Sequence, residues 1–488
     1  MTTSGTGTAV ITLNAITHEL RVRAVFSDLN GNTTNSHIHC CVTAPTANAG
    51  VITATPSFAG FPAGIKEGTF DAVYNTGLSP TWNASYVTAN GGTAAGAEAS
   101  FVTGVASGGA YLNIHSATSP GGEIRGTLLP FSFATAANSA TAGIAASLNS
   151  LGVSTGALNE RLVTIAMLNA AQQQAAMASL QPLPGSAVAL VTSNSLFTNY
   201  DQIGNRLGGL RDGASTAGSG FWVSAAILDG EQELESRNAN VDTEGYDVAA
   251  GLDRRLGDSS LVGAALSFTG DSLDFVDAML GSNTDITGWR ASLYGEHQIG
   301  NGYVEGMLSF ANHENEMVHN SGLAGVGNSD ADSEQIGARL AAGLRLDLGM
   351  GLALTPQLRL DWSSLDIDGY REVGAGGLGL NVMSQTVDRL RATVGGQLDW
   401  ALSATVKPYA RAFLSNDFRD DSNLVGATFV GGGAAFFTSD AGLDTSGYVA
   451  GIGINMRGGN FGASFSYDRL GSDNVEYGRL QARLLWLF

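Results

Sequence analysis

The most constraining feature of the sequence is a long run of segments in which apolar and polar residues alternate. Side chains of a β-strand point to opposite faces in turn, so each such segment has one apolar and one polar face. The twelve predicted strands are 218–229, 243–256, 259–272, 285–299, 302–315, 332–348, 351–366, 385–401, 405–417, 445–457, 460–470 and 476–488. Strands with this pattern separate an apolar environment from an aqueous one.

The connections between the predicted strands are alternately short and long. The short turns are 256–259, 299–302, 348–351, 402–404 and 457–459, and the long, mostly acidic loops are 230–242, 273–284, 316–331, 367–384 and 418–444. Barrels of the bacterial outer membrane have this alternation, with short turns in the periplasm and long loops outside, whereas a soluble meander gives no reason for it. The sequence therefore predicts a mostly β chain whose residues 214–488 form a twelve-stranded transmembrane β-barrel.

Charged residues occupy the polar face of several predicted strands, as Arg339 does beside the apolar Leu340. An Arg or Lys facing lipid costs roughly 2–4 kcal/mol at the centre of the bilayer, so these charges must face the barrel lumen. The predicted lumen-facing charges are Arg290, Arg339, Arg345, Arg389, Arg391, Asp253 and Asp399. They fit charge pairs around a helix in the lumen, and they also fit an ion-selective pore.

The last strand ends the chain on an apolar, aromatic face. Leu484, Trp486 and Phe488 lie on that face by period 2, opposite Arg479 and Arg483. The strand resembles the C-terminal strand of bacterial outer-membrane proteins, whose terminal Phe helps the assembly machinery to recognise the chain. The resemblance implies two partners, the outer-membrane lipid and the barrel assembly machinery, and makes these three residues the predicted assembly signal.

Composition narrows the class of protein. The 488 residues carry a net charge of −20, which argues against nucleic-acid binding because that needs a basic surface. The first residues, MTTSGTGT, lack the basic and apolar regions of a signal peptide, so we expect a mature or shortened form of an exported chain. The sequence contains no H-E-x-x-H or P-loop motif, no catalytic residue is predicted, and the chain is more simply explained without an enzymatic activity.

The first 130 residues predict a separate, smaller unit. Segments 8–13, 19–26 and 110–115 have strand-like composition and are separated by Gly, Asn and Pro, which predicts an antiparallel β-sandwich. Four blocks resemble the CHRD domain named after chordin, H-I-H-C-C at 37–41, A-G-V-I-T-A-T-P-S-F-A-G-F-P-A-G-I at 49–65, A-Y-L-N-I-H at 110–115 and P-G-G-E-I-R-G at 120–126. The resemblance implies an immunoglobulin-like or superoxide-dismutase-like sandwich, without a settled activity.

Two kinds of segment connect the sandwich to the barrel. Residues 131–157 are small and almost uncharged, which predicts a linker, whereas 158–213 show helical periodicity interrupted by Pro182 and Pro184. The second predicted helix, 186–211, is on the order of 40 Å long and could pass through a barrel. An N-terminal domain, a helix and a twelve-stranded barrel together resemble a classical autotransporter.

That resemblance implies that the helix occupies the lumen and that the N-terminal domain reaches the surface of a Gram-negative cell. The predicted function is export and anchoring of this domain, which would serve as a binding or adhesive module of unidentified ligand. Two alternatives stay open. The chain could be a surface metal-binding protein or metalloenzyme, or an outer-membrane pore with a periplasmic domain.

Three histidines carry the chemistry of the metal alternative. His37 and His39 lie two residues apart in a predicted strand, so both imidazoles leave the same face, and His115 on a later strand could supply a third ligand. Neutral imidazoles suit copper or zinc. Water, His18 or a cysteine would have to complete the site. The adjacent Cys40 and Cys41 could form a vicinal disulfide or act as soft ligands.

Overall fold

The computed structural model describes residues 2–42, 47–151, 156–211, 219–234, 239–418, 424–439 and 446–488. These residues form two compact units, Met1–Asn138 with Leu148–Ala175, and Ser139–Ser147 with Ala176–Phe488. Parts of the predicted linker, loops and boundaries, at 152–155, 212–218, 235–238, 419–423 and 440–445, lie outside the described residues. Among the helices that are described, none combines the length and apolar character needed to span a membrane.

The first unit contains two antiparallel sheets. Its strands are β1 (Thr6–Asn14), β2 (Glu19–Ser27), β3 (Thr33–Cys40), β4 (Gly50–Val51), β5 (Gly68–Asn75), β6 (Ala110–Ser116) and β7 (Ile124–Leu128). One sheet has the order β1-β2-β5 and the other β4-β3-β6-β7. Val22, Ile38 and Leu112 meet in the apolar core, each less than a tenth exposed. The predicted sandwich is thus built from alternating residues of two sheets.

Two helices join the strands of this unit, α1 (Ala84–Ala89) and α2 (Ala94–Ala106). The sequence predicted strands with turns here. The Thr93 side chain accepts a hydrogen bond from the backbone N–H of Gly96 and so caps α2, an arrangement that satisfies an otherwise unpaired helical donor. Ala97 and Phe101, four residues apart on one face of α2, pack into the core between the sheets.

Helices α3 (Ala142–Ser150), α4 (Ala157–Ala166) and α5 (Ala170–Ala178) follow the sandwich. The continuous helical pattern from 158 to 180 is divided between α4 and α5. Asn169 and Gln172 cause the break, because the Asn169 side chain accepts from the Gln172 N–H at 3.0 Å while the Gln172 side chain accepts from the Asn169 N–H at 3.2 Å. This reciprocal cap begins a new helix and ends the previous one.

Twelve of the described strands form a closed antiparallel ring in the second unit, which confirms the predicted barrel. They are β8 (Ser219–Leu234), β9 (Ala239–Leu256), β10 (Ser260–Phe275), β11 (Asn283–Ile299), β12 (Gly302–Asn320), β13 (Val326–Leu344), β15 (Leu352–Ile367), β18 (Gln385–Trp400), β19 (Val406–Asp417), β22 (Ser446–Gly458), β23 (Phe461–Ser472) and β24 (Val475–Leu487). The short β14 (Leu346–Gly349) pairs with β15 beside the ring. Pairing of β24 with β8 closes it, so no edge is left unpaired.

The long connections also contain strands that alternation did not predict. β16 (Tyr370–Arg371), β17 (Leu380–Val382), β20 (Leu424–Phe429) and β21 (Gly432–Ser439) form a four-stranded sheet. Val425, Phe429 and Phe436 are buried on one face of this sheet, with Phe429 and Phe436 ring centroids 5.2 Å apart. Two loops far apart in sequence supply the pairing partners, which hides the sheet from local patterns.

Helix α6 (Gly185–Arg211) lies in the lumen and is the longest described helix. Its Tyr200, Ile203 and Leu207 are fully buried and pack against Trp222 and Ala249 of the barrel wall. Polar groups of the helix also bond to the strands, as Tyr200 Oη does to Ser309 Oγ at 2.8 Å. A helix buried on every side is expected where a wall surrounds it.

Candidate metal centre and barrel interior

The register of β3 and β6 brings the three predicted histidines to one face of their sheet. His37 lies opposite Asn113, His39 opposite Tyr111, and Asn35 opposite His115. Odd-numbered residues of both strands point away from the core, in which Ile38 and Leu112 lie. His115 is therefore the diagonal neighbour of His37 across the strand pair, within reach of its ring.

The three imidazoles form a tight cluster. The ring centroids of His37 lie 5.1 Å from His39 and 4.7 Å from His115, and one nitrogen from each of the three histidines lies within 4.8 Å of the others. Metal–nitrogen bonds near 2 Å bring ligand nitrogens to within about 4 Å of one another, so small rotamer adjustments suffice for a shared ion. The residues are 6–8% exposed. Among the residues the structure describes, these three histidines are close enough to hold one metal ion, and the group contains no Asp or Glu.

Backbone carbonyls orient two of these rings. His39 Nδ1 lies 2.8 Å from the Ala49 carbonyl and His115 Nδ1 lies 2.8 Å from the Pro120 carbonyl. A carbonyl only accepts, so both Nδ1 atoms carry the proton and both Nε2 atoms present a lone pair. Metal-bound histidines are typically held by this kind of second hydrogen bond.

Two ring nitrogens of the cluster are buried without a hydrogen-bond partner, His37 Nδ1 and His39 Nε2. Buried polar atoms in native proteins are almost always paired, so orphaned atoms need an explanation. Burial, together with the neighbouring His115 and His39, lowers the pKa of His37 to about 4. Burial also lowers the pKa of His39, against the opposing effect of the Ala49 carbonyl. Both rings are neutral at pH 7 and can donate a lone pair to a metal.

Three neighbours of the cluster were not singled out from the sequence. The Asn113 side-chain nitrogen lies 3.2 Å from His115 Nε2, and the Tyr111 ring stacks on His39 at 4.7 Å. The Arg125 guanidinium lies 4.7 Å from the Tyr111 ring centroid and donates to the Ala47 carbonyl, beside the loop that holds His39. The alternation of side chains along the strand places residues 111, 113 and 115 on one face, and this pattern could have identified Tyr111 and Asn113 from the sequence.

The other ligands considered from sequence lie elsewhere. His18 Nδ1 is 2.9 Å from the Glu98 carboxylate and does not join the cluster. Cys40 and Cys41 are joined in a disulfide, so neither offers a thiolate. The room for this disulfide comes from Gly104 on α2, since a Cβ there would clash with the Sγ atoms of Cys40 and Cys41. Among the described residues, the three histidines and the neutral side chains of Asn113 and Tyr111 are thus the groups available as metal ligands.

In the barrel, charges of α6 pair with charges of the wall. Asp201 of α6 lies 2.9 Å from Arg339, 3.1 Å from Arg359 and 2.7 Å from Arg479, on three different strands. Near the end of α6, Arg206 pairs with Asp253 at 2.7 Å. Breaking one member of a buried ion pair leaves an uncompensated charge, so these contacts fix the helix in the lumen.

The remaining predicted lumen charges occupy varied positions. Arg290 is buried 3.9 Å from Asp247, and Arg389 and Arg391 both pair with Asp417. Asp399 is buried and accepts from Gln397 at 2.8 Å, whereas Arg345 lies between β13 and β14, partly exposed and 3.5 Å from Asp347. Sequence reasoning missed Asp201, Arg206 and Asp417. Asp201 and Arg206 lie on a helix, which carries no period-2 signal, and nothing local shows that Asp417 of β19 meets Arg389 and Arg391 of β18.

The predicted assembly residues lie on the outer face of the last strand. Leu484, Trp486 and Phe488 are 65%, 52% and 59% exposed. The Phe488 N–H donates to the Ser219 carbonyl at 3.0 Å, so the C-terminus pairs with the start of β8. This aromatic end therefore lies at the seam where the ring closes.

Both units match known protein families. Residues 221–468 match the family model described as Autotransporter beta-domain, and residues 1–128 match the CHRD domain. The first range covers the ring from β8 into β23, and the second covers the sandwich with its histidine cluster.

Curated relatives match part of the chain. The chain is 22% identical over 342 residues to Outer membrane protein B of Rickettsia typhi, an alignment that covers 62% of this chain and 20% of that protein. It is 24% identical over 295 residues to the Neisserial autotransporter lipoprotein NalP of Neisseria meningitidis serogroup B, with coverage of 60% and 27%. The chain thus spans only about a fifth of the length of the first relative.

Solved structures with similarity include the translocator domain of autotransporter NalP from Neisseria meningitidis, with 19% identity and a TM-score of 0.49 over 60% of this chain and 98% of that one. The beta domain of the Bordetella autotransporter Brka has 16% identity and a TM-score of 0.42, with coverage of 56% and 100%.

Proposed function

Because the chain belongs to the autotransporter family through its C-terminal β-domain and carries a CHRD domain at its N-terminus, we propose that the barrel exports this domain and anchors it on the cell surface. The chain is an outer-membrane protein of Gram-negative bacteria. The exported domain acts as a binding or adhesive module. The barrel provides the passage and remains in the membrane as the anchor.

The direction of α6 carries this proposal. Arg211, its last residue, pairs with Glu296 and Glu305 beside the short turn 299–302. The chain just before α6 lies at the opposite end, where the Ser179 carbonyl is 3.0 Å from His319, next to the end of β12 that is remote from the short turn 299–302. Short turns face the periplasm and long loops face outward. The chain at Ser179, immediately before α6, is therefore at the outer end of the barrel, which supports export of the N-terminal domain.

Protease treatment of intact cells tests this orientation. We expect an added protease to remove the first 128 residues while the barrel stays protected, and a periplasmic marker protein to remain intact as the control. An epitope inserted in the short turn 299–302 should be inaccessible in the same cells. Digestion of the N-terminal domain only after permeabilisation of the outer membrane would instead support a pore with a periplasmic domain.

We also propose that the barrel assembly machinery recognises the aromatic end of β24. Leu484, Trp486 and Phe488 form an exposed apolar row at the closing seam, facing the lipid. Cross-linking from Leu484 in living cells should capture a component of this machinery during assembly. Capture from the lumen-facing Arg483 to the same extent would contradict the proposal.

A second function is favoured by the orphaned ring nitrogens of His37 and His39, namely that the N-terminal domain binds a transition metal through His37, His39 and His115. Copper and zinc are the candidate ions because three neutral imidazoles suit both. The proposal concerns binding and assigns no reaction to the domain.

Equilibrium dialysis of the full-length protein in detergent tests metal binding. We expect one copper or zinc ion per chain, and loss of that ion in a variant with His37→Gln and His39→Gln, which keeps side chains of similar size. The matched control is His18→Gln, outside the cluster, which should bind as the unchanged protein does. If the protein binds neither ion at saturating concentrations of copper and zinc, the histidines are structural.

A further inference from the structure

The donors of the histidine cluster carry no negative charge. Its three ligating groups are imidazoles, and no carboxylate or thiolate of the described residues joins them. The two nearby cysteines, Cys40 and Cys41, form a disulfide and offer no thiolate. Asn113, opposite His37 and 5% exposed, contributes a neutral amide. An ion bound here keeps its full charge in a buried site.

The free-energy cost of burying an ion grows with the square of its charge. For ions of equal size, a divalent ion therefore costs about four times as much desolvation as a monovalent one before ligand bonds are counted. The exposed Arg125 guanidinium adds to this cost, because it lies 4.7 Å from the centroid of the Tyr111 ring, which stacks on His39, and so brings a positive charge close to the cluster. Carboxylates or thiolates would offset the cost for Zn²⁺, but the cluster has neither.

The number of ligands acts in the same direction. Zn²⁺ in structural sites takes four protein ligands and in catalytic sites three with a bound water. Monovalent copper accepts three nitrogen donors without a fourth. Even among divalent ions, nitrogen ligands bind copper more tightly than zinc. Three buried imidazoles thus suit copper better than zinc, both by the number of ligands and by the affinity of nitrogen donors.

We propose that the cluster of His37, His39 and His115 holds copper, preferentially as the monovalent ion, and discriminates against Zn²⁺ through its lack of negative charge. This specificity rests on the metal binding proposed above. Asn113 maintains the discrimination, because its amide occupies the position opposite His37 where a carboxylate would compensate a divalent ion.

Competition titrations of the full-length protein in detergent test the specificity. Monovalent copper is supplied anaerobically with ascorbate and competed with a copper chelator, and Zn²⁺ is competed with a zinc-sensitive fluorescent chelator. We expect monovalent copper to bind at least about tenfold more tightly than Zn²⁺. The Asn113→Asp variant should reduce the ratio of the affinity for monovalent copper to the affinity for Zn²⁺ by about tenfold, since the new carboxylate favours the divalent ion. His18→Gln should leave the ratio unchanged.

Each outcome decides between the two proposals. Zn²⁺ binding as tight as that of copper, lost with the His37→Gln/His39→Gln change, would overturn the copper preference and leave metal binding in place. Absence of binding by both ions, or binding that survives the double change, would overturn both proposals. An unchanged ratio in folded Asn113→Asp protein would overturn the role of charge.

Discussion

At the scale of single residues, Glu123 connects separate segments of the N-terminal unit. Its carboxylate accepts hydrogen bonds from Ser116 Oγ, from Thr3 Oγ1 at 2.7 Å and from the Gly31 N–H at 3.2 Å. Desolvation alone would raise the pKa of Glu123, but these bonds outweigh it and lower the pKa to about 2. The ionised form is thus stabilised by folding.

We therefore expect the N-terminal unit to lose stability as the pH falls from about 4.5 towards 2, because a carboxyl with a lowered pKa stabilises the fold only above that range. Limited proteolysis of residues 2–128 in the full chain, measured against pH, follows the loss. The Glu123→Gln variant should be cleaved faster than the original chain at pH 7, and its rate of cleavage should change less between about pH 4.5 and pH 2. The exposed Glu67→Gln is the control, and an identical profile for both variants would contradict this role.

At the scale of the strand, β13 shows how strictly its two faces differ. Leu340 is 58% exposed on the lipid side, whereas Arg339 is 6% exposed and pairs with Asp361 at 2.5 Å. Leu340→Arg should lower the free energy of unfolding of the barrel in lipid vesicles by roughly 2–4 kcal/mol. The Leu340→Phe variant at the same position should fold like the original chain. Equal folded yields for both variants would mean that the strand register is different.

The last strand, β24, gives a second prediction at this scale. Phe488→Asp should reduce assembly of the barrel, because it places a charge on the exposed aromatic end at the closing seam. A folded barrel migrates differently on a gel before and after heating, and the amount of the heat-modifiable species measures assembly. Phe488→Tyr should retain it. Full assembly of the Asp variant in cells would contradict the predicted signal.

At the scale of the whole molecule, the helix in the lumen limits the space for ions. Between α6 and the wall the structure has a polar cavity of about 230 Å³, lined by Asp201, Asn205 and Arg359 among others. Removal of residues 1–212 should leave a barrel that conducts ions several-fold better in planar bilayers. Removal of residues 1–156, which keeps α6, is the control and should retain the low conductance. Equal conductance of the two shortened chains would place the helix outside the lumen.

Local patterns determined the barrel. Alternation along each strand fixes which residue faces lipid, and the alternating lengths of the connections fix the number and direction of strands, so Arg339 and Leu340 could be assigned without coordinates. The same reasoning placed His37 and His39 on one face. These properties depend only on residues close together in sequence.

Only the tertiary structure decided which distant residues meet. The pairing of Asp201 with arginines on three strands depends on how α6 is rotated in the lumen, and the position of His115 beside His37 depends on the register of β3 and β6. The sheet formed by β16, β17, β20 and β21 likewise joins two loops. Such contacts are selected by the summed packing and electrostatics of the whole chain, which no single segment records.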